Sequence, residues 1–315
     1  MSLTLVTGAP GWLGTRLVRV LMEGIPDLPA LAQPDPTRRV RCLVLPGQDT
    51  ATLPSNGQVE IVRGDLRDPQ AVQEFCRDAA GATLFHCAGL VHPTRRVREL
   101  YEVNVEGTRQ LLQAAEQAGV RRAVVVSSNS PAGNNPHRDH RFDESAPYHP
   151  YMNYGRSKML MEQAVQAYQA RGQIETVIIR PTWFYGPDQP ERQTTFFRMI
   201  RSGKAPLMGD GGNQRSLTYI DNLCQGLLLA ERTPAANGQT YWVADQRPYT
   251  MSEIIDTVER LMEEEFGLPV AHRRMRLPSI ASEIAGLADG LLQGVGLYHQ
   301  KVHVLSEMNK TIACS

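Results

Sequence analysis

Little in this 315-residue sequence points to a nucleic acid, a membrane span or a metal centre. Lysine plus arginine and aspartate plus glutamate number 33 each, so no net basic field draws the chain to a phosphate backbone. The least polar stretch, residues 280–297, contains Glu283, Asp289 and several glycines. That argues against a helix that spans a bilayer, and it leaves an amphipathic helix over a pocket or at a membrane surface. We therefore expect the partner to be a small molecule.

Cysteine is scarce as well. The five cysteines are widely spaced and never form a CxxC pair, which argues against a disulfide framework and against a zinc site, so no metal ligands are predicted. The N-terminus enters an apolar segment without a charged leader, so we predict no signal peptide and a cytoplasmic location. The last residues, 312–315, carry no evident cap or stop signal, which favours a chain that is truncated at this end.

Short apolar segments that favour β-structure alternate with longer segments of helical periodicity. The predicted strands are residues 3–6, 40–45, 59–62, 83–86, 123–127 and 176–179, and the predicted helices are 13–23, 69–78, 106–118 and 154–170. Strands that alternate with helices of this length indicate a parallel sheet with right-handed crossovers. The sequence therefore predicts an α/β fold with a doubly wound parallel sheet of the Rossmann type.

The domain organisation changes near Pro181, where this alternation gives way to irregular spacing. We predict a dinucleotide-binding domain over residues 1–180, to which parts of 215–245 return. Most of 181–315 is predicted to form a smaller substrate-binding lobe. A stretch with four prolines and no periodicity, 25–37, is predicted to be an enlarged surface loop before the second strand.

Three glycines follow the first predicted strand directly and open the first predicted helix. At Gly8, Gly11 and Gly14 the chain can turn sharply and bring its amides close to a pyrophosphate, whose charge the helix N-terminus stabilises. Trp12 and Leu13 are predicted to contribute amides to that contact. A lone glycine motif is as often an ordinary turn, but its position between a strand and a helix favours a dinucleotide loop.

A tyrosine and a lysine, Tyr154 and Lys158, lie four residues apart in a predicted helix, so their side chains share one face. A phenol with a pKa of about 10 is a poor base at neutral pH, and a neighbouring cation lowers that pKa. Ser127 and Ser128 end the fifth predicted strand, where a hydroxyl can hydrogen-bond a substrate oxygen. Such a tyrosine and lysine alone are usually an exposed pair, and the serines upstream favour a catalytic site.

Together these motifs resemble the short-chain dehydrogenase/reductase superfamily in its extended form. Residues 7–14 read TGxxGxxG, residues 154–158 read YxxxK, and residues 180–187 read RPxxxYGP. The matches extend over about the first 235 residues and are far more specific in combination than singly. Within the extended group, residues 107–112, 217–230 and 304–307 look most like the branch of 3β-hydroxysteroid dehydrogenases and dihydroflavonol reductases.

The resemblance implies a bound NAD or NADP and assigns roles to the residues around it. By that resemblance Tyr154 exchanges a proton with the substrate oxygen, and Lys158 holds the nicotinamide ribose and assists the phenol. Ser128 is the preferred residue to orient the substrate, because its distance from the next glycine matches the family pattern. Ser127 and Ser130 stay as alternatives.

Further cofactor contacts are implied at the ends of the predicted strands. They are Asp65 and Leu66 after the third strand, Ala88 and Gly89 after the fourth, and Pro181 after the sixth. The resemblance gives Asp65 a hydrogen bond to the adenine amino group, although an aspartate in a loop is more often a turn or cap residue. The small residues Ala88 and Gly89 are implied to let the backbone lie against the ribose and nicotinamide.

The residue at the end of the second strand distinguishes NAD from NADP in this superfamily, and here it is Leu45. An aspartate accepts hydrogen bonds from the ribose hydroxyls and an arginine pairs with the extra phosphate, whereas leucine can do neither. Arg38, Arg39 and Arg41 are near in sequence. They fit two interpretations equally: partners of the extra phosphate, or charges of the strand that face solvent. Both cofactors therefore stay open.

A few polar residues carry two interpretations. Asn104 lies in a segment that matches a further family motif, whose asparagine helps to shape the active site, and a cap of the helix 106–118 is an equally good interpretation. Asp68, which precedes a proline, and Asp221 are predicted to cap the helices that follow them. His86 is predicted to pack within its strand rather than to bind a ligand.

The branch implies a secondary alcohol or ketone on a hydrophobic substrate of steroid, flavonoid or 3-oxoacyl type. A sugar-nucleotide epimerase or dehydratase shares the fold but accommodates a diphosphate, and the second lobe offers few cations for one: Arg198, Arg201, Lys204 and Arg215. A non-catalytic NAD(P)-binding regulator is a third interpretation, against which the intact catalytic residues speak. The resemblance also implies a homodimer paired through the helices 106–118 and 154–170, whose apolar faces are equally consistent with core.

Overall fold

A parallel seven-stranded sheet organises the computed structural model, which describes residues 2–25, 28 and 33–315. The strands, in chain order, are β1 (Leu3–Thr7), β2 (Arg39–Val44), β3 (Val59–Arg63), β4 (Thr83–His86), β5 (Arg122–Val126), β6 (Glu175–Pro181), β7 (Trp183–Tyr185), β8 (Pro206–Met208), β9 (Gln214–Arg215), β10 (Leu217–Tyr219), β11 (Thr240–Val243), β12 (Tyr249–Thr250) and β13 (Met275–Leu277). The main sheet has the order β11-β6-β5-β4-β1-β2-β3, and its pairs are parallel. The predicted doubly wound α/β fold is confirmed. Much of the predicted loop 25–37 lies outside the described residues.

Helices cover both faces of this sheet. They are α1 (Trp12–Glu23), α2 (Pro69–Phe75), α3 (Arg98–Tyr101), α4 (Thr108–Gln117), α5 (Met152–Arg171), α6 (Glu191–Arg201), α7 (Ile220–Arg232), α8 (Met251–Glu264), α9 (Ser279–Gly294) and α10 (Gln300–Glu307). A π-helical segment, Glu102–Gly107, joins α3 to α4, and a 3₁₀ turn, Pro234–Ala236, follows α7. The helix predicted at 106–118 is therefore the last part of a longer helical run.

Successive residues of each strand face opposite layers of helices, as the two-residue period of a strand requires. Val6 packs into a core shared with α1 and α7, whereas its neighbour Leu5 packs into a core shared with α2, α4 and α5. The apolar faces of α4 and α5 lie in this second core, where Leu111 and Met161 are fully buried. Pairing of two copies through the outer faces of these helices stays a prediction.

The chain beyond β6 contributes both to the main sheet and to elements outside it. β11 extends the sheet next to β6, and α7 packs on α1. The small sheets β7 with β10, β8 with β13 and β9 with β12 lie outside, and α6 and α8 pack around Ile200 and Leu207. α9 and α10 pack against each other. Within the part of the chain that the structure describes, no helix combines the length and the apolar content needed to cross a bilayer.

The two aspartates predicted as helix caps differ in what they bind. Asp68 precedes α2, and its carboxylate accepts a hydrogen bond of 3.0 Å from the amide of Gln70, so this prediction is confirmed. Asp221 lies inside α7, whose N-cap is Tyr219. Its carboxylate accepts hydrogen bonds of 2.5 and 2.8 Å from the guanidinium of Arg16. The prediction of a cap at Asp221 is wrong, because a cation on α1 binds the carboxylate instead.

Candidate active site

The loop between β1 and α1 is so tight that only glycine fits at three positions. Gly8 has a φ of +87°, and a Cβ on it would lie 2.6 Å from the backbone nitrogen of Ala88. A Cβ on Gly11 would lie 2.7 Å from the carbonyl oxygen of Gly8, and one on Gly14 would overlap the same oxygen. The bare backbone of this loop therefore fits the close approach that a pyrophosphate needs.

The first residues of α1 continue that loop. The amides of Trp12 and Leu13 stand in the first turn, where a helix leaves its backbone donors without intrahelical partners. The side chain of Leu13 is buried in the core. The indole of Trp12 donates a 2.7 Å hydrogen bond to the carbonyl of Pro187, and its ring lies 4.9 Å from that of Phe184. Leu13 thus fixes the loop to the core, and Trp12 fixes it to the segment that follows β6.

The end of β4 lies directly beside the glycine loop. The amide of Ala88 donates to the hydroxyl of Thr7 at 3.3 Å, and a Cβ on Gly89 would lie only 3.0 Å from Nζ of Lys158. His86 is buried between hydroxyls, with Nδ1 2.7 Å from Oγ1 of Thr7, and burial lowers its pKa to about 3. Its prediction as a packed strand residue is confirmed. The backbone at Gly89 lies against the lysine ammonium, with no room for a side chain larger than hydrogen between them.

Lys158 is buried at the edge of the sheet where β4 and β5 end. Its side chain is 3% exposed, and Nζ donates to the carbonyl of Val126 at 3.1 Å. Burial lowers the pKa of this lysine to about 8, although the nearby carboxylate of Glu162 opposes that change. The ammonium therefore stays charged at neutral pH. Tyr154 stands one turn earlier in α5 and is half-buried.

The first turn of α5 packs on the loop that follows β5. A Cβ on Gly155 would lie 2.6 Å from the carbonyl oxygen of Ser130. Ser128 is 8% exposed, and its Oγ lies 3.1 Å from Oγ of Ser130 and accepts from the amide of Ser130. Oγ of Ser127 is buried without a hydrogen-bond partner among the described residues. Tyr154 and the serine loop are therefore neighbours, and the choice of Ser128 among the serines stays a prediction.

Asn104 joins the segment after β4 to α5. Its side-chain amide donates to the carbonyl of Leu90 at 2.9 Å and to Oγ of Ser157 at 3.0 Å, and its oxygen accepts from the amide of Leu90 at 2.8 Å. It lies inside the π-helical segment rather than before a helix. The cap interpretation is therefore wrong, because the side chain bonds across the fold. A π-helical turn is itself frequent at functional sites.

The residues predicted for the adenine end lie after β3. The carboxylate of Asp65 accepts from the backbone amide of Arg67 at 2.9 Å and from its guanidinium at 2.6 Å. That arginine holds the pKa of Asp65 below its usual range. Leu66 is buried against Gly107, where a Cβ would lie 3.1 Å from Cβ of Leu66. The contact of Asp65 with adenine stays a prediction.

The position that distinguishes the two cofactors is apolar and open. Leu45 follows β2 and is 44% exposed. Arg38 pairs with Glu231 at 2.9 Å and Arg41 with Glu60 at 2.9 Å. Both arginines are buried near the start of β2, so their charges are used inside the fold and not at the end of the strand where Leu45 stands.

An ion pair that the sequence analysis missed lies beneath the candidate site. Arg180, which precedes Pro181 at the end of β6, donates to the carboxylate of Glu162 at 2.7 and 3.0 Å. The side chains are 4% and 0% exposed. The available signal was the spacing of Glu162, which follows Lys158 by one helical turn. The pair holds a carboxylate near the buried ammonium, which reduces the cost of burying that charge.

The C-terminal helices reach the start of α5, which the sequence analysis also missed. The amide and side chain of Asn153 donate to Oε1 of Gln293 on α9, at 3.1 and 2.9 Å. The phenol of Tyr151 donates to Oγ of Ser306 on α10 at 3.0 Å. These contacts hold α9 and α10 beside the turn that carries Tyr154.

Comparison with known proteins gives one family and several relatives. The model of the NAD dependent epimerase/dehydratase family matches residues 4–244. An uncharacterized protein of Sinorhizobium fredii, y4nL, is 52% identical over 99% of this chain and 87% of its own length. The 3beta-hydroxysteroid-dehydrogenase/decarboxylase isoform 1 of Arabidopsis thaliana is 28% identical over 96% of this chain and 69% of its own length. The crystal structure of a dTDP-glucose 4,6-dehydratase from Streptomyces venezuelae, DesIV, with NAD and TYD bound, is 27% identical over 88% of each chain, with a TM-score of 0.69.

Proposed function

Because this chain belongs to the NAD dependent epimerase/dehydratase family, we propose that it is an NAD(P)-dependent oxidoreductase that interconverts a secondary alcohol and a ketone on a hydrophobic substrate. The observation that carries the proposal is the buried ammonium of Lys158, which lies against Gly89 at the sheet edge, one helical turn after Tyr154. A charged group is costly to bury, so an ammonium held against the backbone of Gly89, on the same helix as Tyr154 and one turn from it, supports a catalytic use.

In this proposal the glycine loop and the first amides of α1 hold the pyrophosphate of the cofactor. When bound, NAD or NADP supplies or accepts the hydride at the substrate carbon. Lys158 holds the ribose hydroxyls and, as a cation, lowers the proton affinity of the phenol of Tyr154. As the phenolate, Tyr154 accepts the proton of the alcohol during oxidation. As the neutral phenol, it donates a proton to the ketone oxygen during reduction. Ser128 donates a hydrogen bond that orients the same oxygen.

The preference for a hydrophobic substrate over a nucleotide sugar rests on the cations of the second lobe. Arg198 pairs with Glu191, and Arg201 donates to the carbonyl of Pro269. Arg215 donates to the carbonyl of Glu307 at 2.6 Å. Each of these guanidiniums already has a partner in the chain, so a diphosphate would have to compete with that partner for it. The relative named as a 3beta-hydroxysteroid-dehydrogenase/decarboxylase agrees with this preference, whereas the dTDP-glucose 4,6-dehydratase agrees with the nucleotide-sugar alternative.

The experiment for this proposal follows cofactor absorbance with a panel of apolar secondary alcohols and ketones, and with UDP- and dTDP-sugars in parallel. We expect net reduction of NAD(P) with an alcohol, or net oxidation of NAD(P)H with a ketone. An epimerase returns its hydride within one cycle, so conversion of a nucleotide sugar without net change in cofactor would replace this proposal by the epimerase alternative. Tight cofactor binding without turnover of any class would favour the regulator.

Cofactor choice gives a separate prediction at Leu45. Arg63 on β3 already lies close, since it donates to the carbonyls of Leu45 at 3.3 Å and Gln48 at 2.6 Å. In Leu45→Arg a second guanidinium can pair with the 2′-phosphate. A hydrogen bond to a charged group contributes about 1.5–3 kcal/mol, so the ratio of kcat/KM for NADP over NAD should rise by roughly tenfold or more. Leu45→Met is the uncharged control, and an unchanged ratio in Leu45→Arg would place the ribose elsewhere.

A further inference from the structure

Helix α9 has its polarity inverted relative to a helix on the surface of a water-soluble protein. Its buried positions include Ser282, Asp289 and Gln293, which bond inward. Ser282 donates to the carbonyl of Ser306 at 2.9 Å, and Asp289 pairs with His303 at 2.7 Å. An amphipathic helix normally buries its apolar stripe and exposes its polar one. The apolar side of α9 therefore faces outward.

That outward side forms a continuous apolar face, which we call the α9 face. Its members and their exposed fractions are Ile280 (60%), Ile284 (60%), Leu287 (73%), Leu291 (76%), Val295 (74%) and Leu297 (49%). The first four recur at helical spacing within α9, over about 16 Å given the rise per residue of a helix, and Val295 and Leu297 follow its end. Glu283 is the charged residue on the exposed side of α9. A contiguous patch of this kind marks an interaction surface.

Arginines flank the α9 face at both ends. At its C-terminal end, the segment of Arg95, Arg96 and Arg98 bonds through its backbone to residues 296–298. All three side chains are exposed, and Arg98 pairs with Glu102. At the other end, Arg276 is exposed three residues before α9 begins. The same segment also holds Glu99, whose carboxylate accepts from the amides of residues 94–96, so three arginines stand against Glu99 and Glu102. Each end of the face therefore carries a small excess of positive charge.

An open depression joins the basic and apolar parts of this surface. It has a volume of about 720 Å³ and is lined by Arg96, Val97, Arg98, Tyr101, Val295, Gly296 and Leu297. Guanidiniums beside an apolar floor match a phosphate group attached to acyl chains. The phenol of Tyr101 donates to Oδ1 of Asn153 at 2.6 Å, next to Tyr154. The depression therefore adjoins the turn that carries the candidate catalytic tyrosine.

We propose that the α9 face docks the protein on the surface of an anionic lipid bilayer. The apolar side chains enter the boundary between headgroups and acyl chains, and the flanking arginines contact lipid phosphates. Two copies paired through this face would bring like charges together in either orientation, because Arg276 flanks one end and Arg95 and Arg96 the other. Charge complementarity thus favours the lipid over a second copy. The docking is independent of the chemistry proposed for Tyr154.

The test is flotation of the full chain with vesicles of phosphatidylcholine, with and without phosphatidylglycerol, at low and high salt. We expect the wild type to bind the anionic vesicles roughly tenfold more tightly than the neutral ones, and high salt to remove the difference. Leu287→Glu combined with Leu291→Glu should lower binding to anionic vesicles by roughly tenfold or more. Leu229→Glu, at a leucine of α7 that is 54% exposed, is the matched control and should bind as the wild type does.

Further measurements distinguish loss of lipid binding from misfolding, from failure of the proposed chemistry and from self-association. Circular dichroism and thermal unfolding of the double variant should match the wild type, because both leucines are exposed. Its cofactor binding and its turnover of a water-miscible substrate should be unchanged, so failure of lipid binding and failure of the proposed chemistry are distinguishable. The proposal is overturned if the wild type binds neither the anionic nor the neutral vesicles. It is also overturned if light scattering finds a wild-type dimer that Leu287→Glu with Leu291→Glu converts to a monomer.

Discussion

Tyr154→Phe is expected to lower kcat by about 10²- to 10⁴-fold, the range over which a positioned acid or base accelerates a reaction. The variant removes one hydroxyl and keeps the ring, so the packing of the first turn of α5 on the serine loop is preserved. Proton exchange with the substrate oxygen is lost, whereas the glycine loop is unchanged. The dissociation constant of NAD(P), measured by titration, should therefore stay within about threefold of the wild type, which is less than 1 kcal/mol.

Tyr148→Phe is the matched control for that experiment. Tyr148 is also half-buried and precedes α5, and its phenol accepts a hydrogen bond of 3.2 Å from Gln166. Its loss should leave kcat close to the wild-type value. If Tyr154→Phe keeps full turnover while Tyr148→Phe does not, the phenol that handles the proton has been assigned to the wrong residue.

Lys158→Met is expected to abolish most of the activity and to make the folded protein more stable. A buried lysine whose pKa falls from 10.5 to about 8 loses about 3 kcal/mol of folding free energy at neutral pH. Methionine has a similar length and carries no charge, so it removes this cost. Chemical denaturation at pH 7 should give a higher unfolding free energy for the variant, and kcat should fall by roughly 10²-fold or more because the phenol loses its cation.

The pH dependence of stability gives the same prediction a second readout. The pKa of Lys158 is lower in the folded than in the unfolded chain, so between about pH 8 and 10.5 the folded state binds fewer protons. Wild-type stability should therefore rise through this window relative to Lys158→Met, and the difference between the two should shrink. Lys301→Met, at an exposed lysine of α10, is the control. It should change neither the unfolding free energy at pH 7 nor the dependence of that free energy on pH. A variant less stable than the wild type at every pH would show that the ammonium contributes more through its hydrogen bonds than burial costs.

Local signals in the sequence predicted local structure well. The glycine loop was predictable because the strand, the turn and the helix that define it are adjacent in sequence. Asp68 was predictable as a cap for the same reason, since its partner lies two residues away. Asp221 was not, because its partner Arg16 lies 205 positions earlier and only the packing of α1 on α7 brings them together.

The residues of the candidate site also fall into two groups, those fixed by local spacing and those fixed by contacts between distant elements. The one-turn spacing of Tyr154 and Lys158 is fixed by helix geometry, so the sequence predicts their shared face. The bonds of Asn104 to Leu90 and Ser157 cross between elements, and spacing alone left the cap interpretation open. The inward polar residues of α9 were not predictable either, because their partners on α10 come close only when the two helices pack together.

The contacts between the C-terminal helices and α5 have an evolutionary consequence. They end at Tyr151 and Asn153, just before the phenol, whereas the ammonium of Lys158 is fixed deeper in the fold by the carbonyl of Val126. Replacement of α9 and α10 by other sequences can thus move the phenol of Tyr154 while the ammonium of Lys158 stays in place. The same sheet edge can in this way serve other substrates when the two terminal helices are replaced.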